Sequence, residues 1–309
     1  MYFTSRNIDF ASSLLYVRQA NIYWILLAVA AYCSAFIVRA FRWKQLVEPL
    51  KQGVPPARLF SLLVIGFFMN NVLPLRLGEI VRANVAGQKL GVTRTGVLAT
   101  ILVERLFDGT TYITLFLVTV IFLPFPPWAK QSFTAGAVVF ASGLALLYFL
   151  LKHRDIATKL MHKLPLPPAI RERAQKIFIN FIDGLQVFSK GSALLKVFAL
   201  SLVVWTIEGS VYLIMGQAFG MELSLFQCFF VMIIIGIGAI LPTAPGYVGT
   251  VEFLGMTSLV FLGFNKNLAV GYIVTVHLLQ LLSVSGMGIR SLIAEKISFG
   301  ELVRIEKRS

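Results

Sequence analysis

Uncharged runs alternate along the chain with short basic connections. A run of about 20 apolar residues is long enough to cross a bilayer as a helix. Five stretches meet that length: 22–41, 106–123, 133–151, 197–219 and 268–289. Two further apolar runs, 59–73 and 225–241, are shorter. Each ends at a Leu-Pro and leads into Gly-rich, polar sequence, and the stretch 253–263 that follows the second is again too short to span alone. Pro74 and Gly78 interrupt the first short run, in NNVLPLRLGEIVRA (70–83). Pro242, Pro245, Gly246 and Gly249 interrupt the second. Non-helical backbone at membrane depth is tolerated only where it is buried in protein or lines a wet cavity. A break also exposes helix N-termini, whose free N–H groups attract anions, phosphate especially. Turns at the membrane surface are the simpler reading. Two breaks beside charged residues favour a cavity.

Lys and Arg then set the topology, because cytoplasmic loops carry the excess. The 39–58 region holds five, the connection 152–196 nine, and the tail from Arg290 five. The connections 124–132 and 264–267 hold one each, and 220–224 none. This bias puts 42–58, 152–196 and the tail in the cytoplasm and the N-terminus outside. The stretch 59–94 then starts and ends on the cytoplasmic side, and 225–263 starts and ends outside. Each is expected to be a re-entrant helical hairpin, and the two have opposite orientation. The expected organisation over 1–309 is one integral membrane domain. A first unit, 22–123, and a second, 197–290, have inverted topology, a recurrent transporter design. Span 133–151 and a basic cytoplasmic segment reaching residue 196 connect them. "LPLRLGE" (73–79) and "LPTAPGYVGTVE" (241–252) both run Leu-Pro, Gly, Glu, although their spacings differ.

Composition agrees with a lipid solvent. Of 309 residues, 57% are hydrophobic and 14% charged, against about 25% charged in soluble domains. Mean hydropathy is +0.81. No long stretch returns to a globular composition, and the first twenty residues show no signal-peptide pattern. The net charge of +14 follows from the cytoplasmic bias and faces an anionic leaflet, so nucleic acid is not the expected partner. Cys33 and Cys228 lie inside apolar runs and read as packing residues. The three histidines are scattered, so no metal site or other cofactor is expected. In the basic connection, "AIRERAQKIFINFIDGLQVF" (169–188) puts Ile170, Ala174, Ile177, Phe178, Phe181, Ile182 and Leu185 on one helical face. That pattern suits a helix lying on the membrane and equally one packed beneath the bundle.

Ionisable residues inside apolar spans are costly and default to a functional hypothesis. Arg76, Glu79 and Arg82 fall at i, i+3 and i+6 and would share a face if the return limb is helical. The two arginines could clamp a phosphate with planar forks of donors. Glu79 could orient one of them, meet a cationic headgroup, or pin the hairpin through an internal salt bridge. Glu104, Arg105 and Asp108 open the next span. They form either a functional cluster or a charge triad locked to the hairpin through Arg76 or Arg82. Glu208, mid-span, has no local partner; an arginine of the first unit or a substrate cation would serve. Glu252 follows the second break and would face the same cavity, while His277 reads as a packing residue. Arg42, beside Trp43 at the end of a span, reads as an interface anchor. No nucleophile–base pair and no P-loop occurs.

Four blocks, "RAFRWKQLVEPL" (39–50), "NNVLPLRLGEIVRA" (70–83), "ATILVERLFDG" (99–109) and "LPTAPGYVGTVE" (241–252), resemble the family of the lysylphosphatidylglycerol synthase transmembrane region. In the multiple peptide resistance factor this flippase-like domain is fused to a soluble aminoacyltransferase; in many bacteria and archaea it stands alone. The resemblance covers about residues 20 to 290. The positions that match are Arg42, Asn71, Pro74, Arg76, Gly78, Glu79, Arg82, Glu104, Arg105, Asp108, Pro242, Pro245, Gly246, Gly249 and Glu252. The resemblance implies a lipid translocase with a cavity formed by two re-entrant hairpins. The chain departs from the family pattern in two ways. The aminoacyltransferase domain has no counterpart, so lysyl transfer is not implied. The family's usual first membrane helix has none in the first 20 residues.

The expectation is therefore an all-α, polytopic bundle in a bacterial or archaeal inner membrane, not itself an enzyme. It moves a phospholipid, aminoacyl-phospholipid or lipid-linked intermediate with an anionic or zwitterionic headgroup. The alternatives are a membrane enzyme acting on a lipid headgroup, with Glu104 and Asp108 as its acid–base pair, and a non-catalytic scaffold for a lipid or envelope-polymer synthase. A second copy of the chain or a lipid synthase is the protein partner in view.

Overall fold

The computed structural model describes residues 9–152, 191–238 and 244–298, with five isolated positions (172, 175, 179, 181 and 185) between the first two stretches. Pro242 and nearly all of the proposed amphipathic helix lie outside the described residues. The described residues form helices joined by short turns, with no strand among them. In chain order the helices are α1 (Phe10–Gln19), α2 (Ile22–Val47), α3 (Pro56–Val72), α4 (Gly78–Leu90), α5 (Arg94–Phe122), α6 (Pro127–Lys152), α7 (Gly191–Ala218), α8 (Leu225–Gly238), α9 (Thr250–Phe261) and α10 (Lys266–Ala294). One-turn 3-10 segments, Pro74–Arg76 and Pro245–Tyr247, precede α4 and α9.

Local chemistry sets the helix ends. Side chains at the N-caps take the first free N–H groups: Asn21 accepts from Tyr23 (3.0 Å), Thr93 from Gly96 (3.2 Å) and Asn265 from Asn267 (2.9 Å). Pro56 opens α3, where its missing N–H costs nothing. Gly91, at φ 68°, closes α4 in the left-handed conformation. Four helices, α2, α5, α7 and α10, are long and apolar enough to cross a membrane, and α6 is a 26-residue helix over the span expected at 133–151. All five overrun their expected bounds, and the overruns of α2 and α5 are the ones that bear on the site. α2 continues to Val47 rather than stopping near 41, and α5 begins at Arg94 rather than 106. These two overruns carry Arg42, Glu104 and Arg105, whose charges pair between helices. α3, with 17 residues, is about 26 Å long and α8, with 14, about 21 Å. Both fall below the roughly 30 Å of a hydrocarbon core.

The helices repeat at a fixed interval. Adding 171 to the residue number carries Pro74 to Pro245 and Gly78 to Gly249. The same shift carries 22–47 to 193–218, 78–90 to 249–261 and 94–122 to 265–293. These ranges match α7, α9 and α10 to within two residues at each end. The packing is reciprocal in the same sense. α2 packs along α7. α3 leans on α10 as α8 leans on α5, and α4 packs on α5 as α9 packs on α10. "PLRLG" (74–78) and "PGYVG" (245–249) are thus equivalent turns with equal spacing. The alignment of "LPLRLGE" with "LPTAPGYVGTVE" on their Leu-Pro pairs is corrected accordingly: the second Leu-Pro lies three residues upstream of the equivalent proline. Both turns place consecutive residues in the left-handed region, Leu75 and Arg76 (φ 56° and 57°) and Gly246 and Tyr247 (φ 64° and 60°). The chain therefore cannot run on as one helix through either site.

Candidate functional site

The two turns meet. Arg76 donates its Nε–H to the Tyr247 hydroxyl (2.8 Å), and these two residues are equivalent under the 171-residue shift. Beside them lies a cavity of about 610 Å³. Much of its wall is apolar, with Phe67, Phe133, Phe140, Trp205 and Leu281 among the lining residues. Its polar lining comes from α2 (Arg39), α3 (Asn70, Asn71), the first turn and α4 (Arg76, Glu79), α5 (Arg105, Asp108), α7 (Glu208) and α10 (His277).

Behind the wall is a buried ion-pair network. Arg39 and Arg42 sit three apart on one face of α2. Arg42, fully buried, reaches Asp108 Oδ1 at 2.5 Å and Ser201 Oγ at 2.9 Å, and lies 3.3 Å from Glu104 Oε1. The expected interface anchor is thus a core residue. α5 supplies its carboxylates from more than 60 positions away in sequence, which makes burial affordable. Arg82 is also buried and grips Glu104 with both terminal nitrogens (3.3 and 3.0 Å). Its guanidinium stacks 3.8 Å over the Trp43 ring, whose Nε1–H donates to Thr100 (3.0 Å). Arg105 bridges three acids: Glu104 (2.7 Å), Asp108 (3.1 Å) and Glu79 (3.4 Å). Desolvating any of these ions alone would be prohibitive. Together they give every charge at least one counter-ion within 3.4 Å, while Arg42 Nε and Nη2, Arg82 Nε, Arg105 Nε and Asp108 Oδ2 make no hydrogen bond among the described residues.

Arg39 is held differently. It ion-pairs with Glu208, and its guanidinium lies 5.1–5.7 Å from the ring centres of Phe36, Phe67 and Trp205. Its Nε and Nη1 have no acceptor among the described residues, and neither Asn70 Oδ1 nor Asn71 Nδ2 has a partner there. Trp205 also donates Nε1–H to Asp108 Oδ1 (3.0 Å), tying α7 to α5. At the second turn, His277 contacts Glu252 Oε1 through Nδ1 (2.6 Å) and the Gly246 carbonyl through Nε2 (2.8 Å). Glu252 Oε2 accepts from the Gly249 N–H (2.6 Å).

Asn71, Arg76, Glu79, Arg105, Asp108 and Glu208 therefore line one cavity, with Gly246 at its edge, and Glu252 joins it through His277. Pro74, Gly78, Pro245 and Gly249 shape the two turns. Arg82 and Glu104 are brought together but do not line the cavity. Arg76 and Arg82 do not form the expected two-armed clamp: the left-handed turn at Arg76 precedes α4, so the two are not on one helical face. Glu79 pairs with Arg105 rather than with either of them. His277 is a wall residue with both ring nitrogens engaged, not inert packing. Arg39 is the arginine of the first unit that the sequence offered as a partner for Glu208, whereas Trp205 and Tyr247 were not among the expected site residues. Trp205 lies three residues before Glu208, on the same helical face, and Tyr247 holds the place of Arg76 in the repeated turn; both were available signals.

The sequence profile of the lysylphosphatidylglycerol synthase TM region matches residues 1–288. The chain belongs to this family. It is similar to two UPF0104 membrane proteins of Methanothermobacter thermautotrophicus (strain Delta H). One is 22% identical over 298 residues, covering 89% of this chain and 86% of the relative. The other is 25% identical over 245 residues, covering 74% and 71%. The network and cavity are thus those of an integral membrane protein of the lysylphosphatidylglycerol synthase TM region family. Pro74, Gly78, Arg76, Glu104 and Asp108 all lie inside the matched range.

Proposed function

We propose that the protein is a lipid translocase, moving a phosphate-bearing lipid with an anionic or zwitterionic headgroup across a bacterial or archaeal cytoplasmic membrane. One observation carries this reading: a cavity of about 610 Å³ combines guanidinium and carboxylate groups with a largely apolar wall at the meeting of the two turns. Such a lining suits an amphiphile. The headgroup phosphate would be received by Arg76, with Arg39 and Asn71 presenting further donors toward it, as charge-assisted bonds to guanidinium are strong and directional. A cationic headgroup moiety would meet Glu79 or Glu208. Acyl chains would remain in lipid.

In this reading the two short helices with their turns are re-entrant hairpins of opposite orientation, and the basic connection and C-terminal tail face the cytoplasm. Access alternates as the two repeats rock against each other and the contact between the turns closes and opens. The protein is not itself an enzyme. Glu104 and Asp108, the acid–base pair that headgroup chemistry would use, are each engaged by two or more arginines, which favours transport.

The test is the rate at which a fluorescent phospholipid changes leaflet in vesicles containing the purified full chain. Loss of a charge-assisted bond is worth about 1.5–3 kcal/mol, so Arg76→Ala should slow reorientation by roughly ten- to a hundredfold. Vesicles with no reorientation above the protein-free rate, for any of an anionic, a zwitterionic and an aminoacylated lipid, would overturn the reading.

A further inference from the structure

At the second turn three hydrogen bonds converge on two titratable side chains, and their donors and acceptors can be counted. The Gly246 carbonyl only accepts, so His277 Nε2 must carry a hydrogen. The Gly249 N–H only donates, so Glu252 Oε2 must present a lone pair. Between His277 Nδ1 and Glu252 Oε1, 2.6 Å apart, there is room for one proton. It sits on nitrogen, giving imidazolium and carboxylate, or on oxygen, giving neutral imidazole and carboxylic acid. In both cases all three bonds are made and the pair is neutral. Remove that proton, and His277 keeps one N–H for two acceptors: either two lone pairs face each other at 2.6 Å, or Nε2 faces the Gly246 carbonyl without a hydrogen. Add a second, and the contact loses its acceptor or displaces the Gly249 bond. The arrangement fits one shared proton and no other number.

The site is wired to the contact between the turns. Gly246 is followed by Tyr247, which binds Arg76 of the opposite turn, and His277 lines the cavity itself. We propose that His277 and Glu252 are a proton-binding site that couples proton movement to the separation of the two turns. The coupling deepens the translocase reading and rests on it. With the proton bound, His277 and Glu252 hold both ends of the 246–249 turn and the Tyr247–Arg76 contact is closed. When the proton leaves to water in the cavity, either Nδ1 and Oε1 repel or Nε2 lets go of the Gly246 carbonyl; in both cases the 246–249 turn loses one of its two holds and Tyr247 is released from Arg76. Proton loss thereby opens the cavity between the repeats.

Other charged groups act on this site through the cavity. The first turn presents Arg76, α4 Glu79, and α5 Arg105 and Asp108. From α2 come Tyr32 and Arg39, and from α7 Tyr212 and Glu208, while the α3 lining is neutral (Phe67, Asn70, Asn71). α8 contributes Met232, Ile235, Gly236 and Ile237. The other carboxylates of the cavity wall, Glu79, Asp108 and Glu208, are engaged by Arg39 or Arg105, which leaves the His277–Glu252 pair, among the described residues of the wall, as the one whose bonds require a mobile proton. α1 meets α10 at Gly271, more than a turn away, and brings Ser13, Tyr16 and Val17 there.

Glu252→Gln separates this proposal from a merely structural role. A glutamine of the same shape donates from its amide nitrogen to His277 Nδ1 and accepts from Gly249, so it reproduces the one-proton state with no proton to lose. Spin labels at Leu75→Cys and Val248→Cys, both exposed positions flanking the contact, report the separation of the turns in full-length protein carrying Cys33→Ser and Cys228→Ala. The inter-label distance should lengthen as pH is raised in the parent and stay short at every pH in Glu252→Gln. His277→Gln, which cannot hold both ends of the turn, should give the long distance throughout. A parent distance that does not move with pH, or a Glu252→Gln protein that follows the parent, overturns the proposal. In vesicles, lipid reorientation by the parent should respond to an imposed pH gradient, and that response should be lost in Glu252→Gln. Reorientation that proceeds without any response to the gradient refutes the coupling and leaves the translocase reading intact. A pH-driven change in distance with no lipid movement keeps the proton site and refutes the translocase reading.

Discussion

Arg76 and Arg82 stand six residues apart in one short polar block, yet the fold gives them opposite tasks. Arg82 is buried against Trp43 and held by Glu104. Arg76 is exposed in a left-handed turn at the edge of the cavity. Composition and spacing marked both as unusual but could not separate them, because the partners that decide their roles come from α5 and from the opposite turn. Arg42 shows the same limit. Local hydropathy reads a charge at the end of an apolar run as an anchor, whereas Glu104 and Asp108 draw it inside. The two arginines should respond differently to truncation. Removing one member of a buried ion pair costs about 3–5 kcal/mol, so Arg82→Ala and Glu104→Gln should each markedly lower the thermal unfolding temperature in detergent. Arg76→Ala should change it little, since exposed contacts are worth about 0–1 kcal/mol. Equal stability losses for Arg76→Ala and Arg82→Ala would contradict the separation.

At the level of the helices, the sequence showed where the chain breaks and less well where the helices end. Pro74, Gly78, Pro245 and Gly249 are legible because proline and glycine have fixed backbone consequences. The overruns of α2 and α5 were hidden, because a hydropathy window stops at charges that the bundle later neutralises. Gly78 has a second task that no local rule reveals. A Cβ there would lie 2.2 Å from the Gly66 carbonyl oxygen and 2.4 Å from the Asn70 backbone nitrogen. Both are backbone atoms of α3 and cannot turn aside. Gly78→Ala should therefore push α4 off α3 and destabilise the protein by about 3 kcal/mol, the upper range for overpacking. Gly143, inside α6 with nothing within 4 Å of an added Cβ, is the control. Gly143→Ala should be neutral or stabilising by up to about 1 kcal/mol on helix propensity. Unfolding curves of the two variants in one detergent decide the point, and a tolerated Gly78→Ala would show that the α3–α4 approach is looser than the geometry implies.

Across the whole molecule, a repeated scaffold carries unrepeated chemistry. The shift of 171 places Ser210, Leu213, Phe253, Thr275, Val276 and Leu279 where the first repeat has Arg39, Arg42, Arg82, Glu104, Arg105 and Asp108. The first repeat thus supplies the guanidinium groups, and the second answers with Glu208 and the His277–Glu252 pair. Sequence comparison between the halves is weak for this reason: the positions that matter most are those that diverged. What the halves keep is the turn, and Arg76 and Tyr247 meet from equivalent places in it. If this contact holds the repeats closed, its hydroxyl bond should resist the opening step. Tyr247→Phe keeps the ring over the Arg76 guanidinium and removes only the hydroxyl. It should speed lipid reorientation by up to about tenfold, since the bond is exposed and an ordinary hydrogen bond is worth about 0.5–1.5 kcal/mol. The same substitution in an Arg76→Ala background should do nothing further, because the bond is already gone, whatever Arg76→Ala itself does to the headgroup. A double-mutant cycle on vesicle reorientation rates measures this directly. Independent, multiplying effects would mean that the two turns only touch, and that some other contact holds the repeats closed.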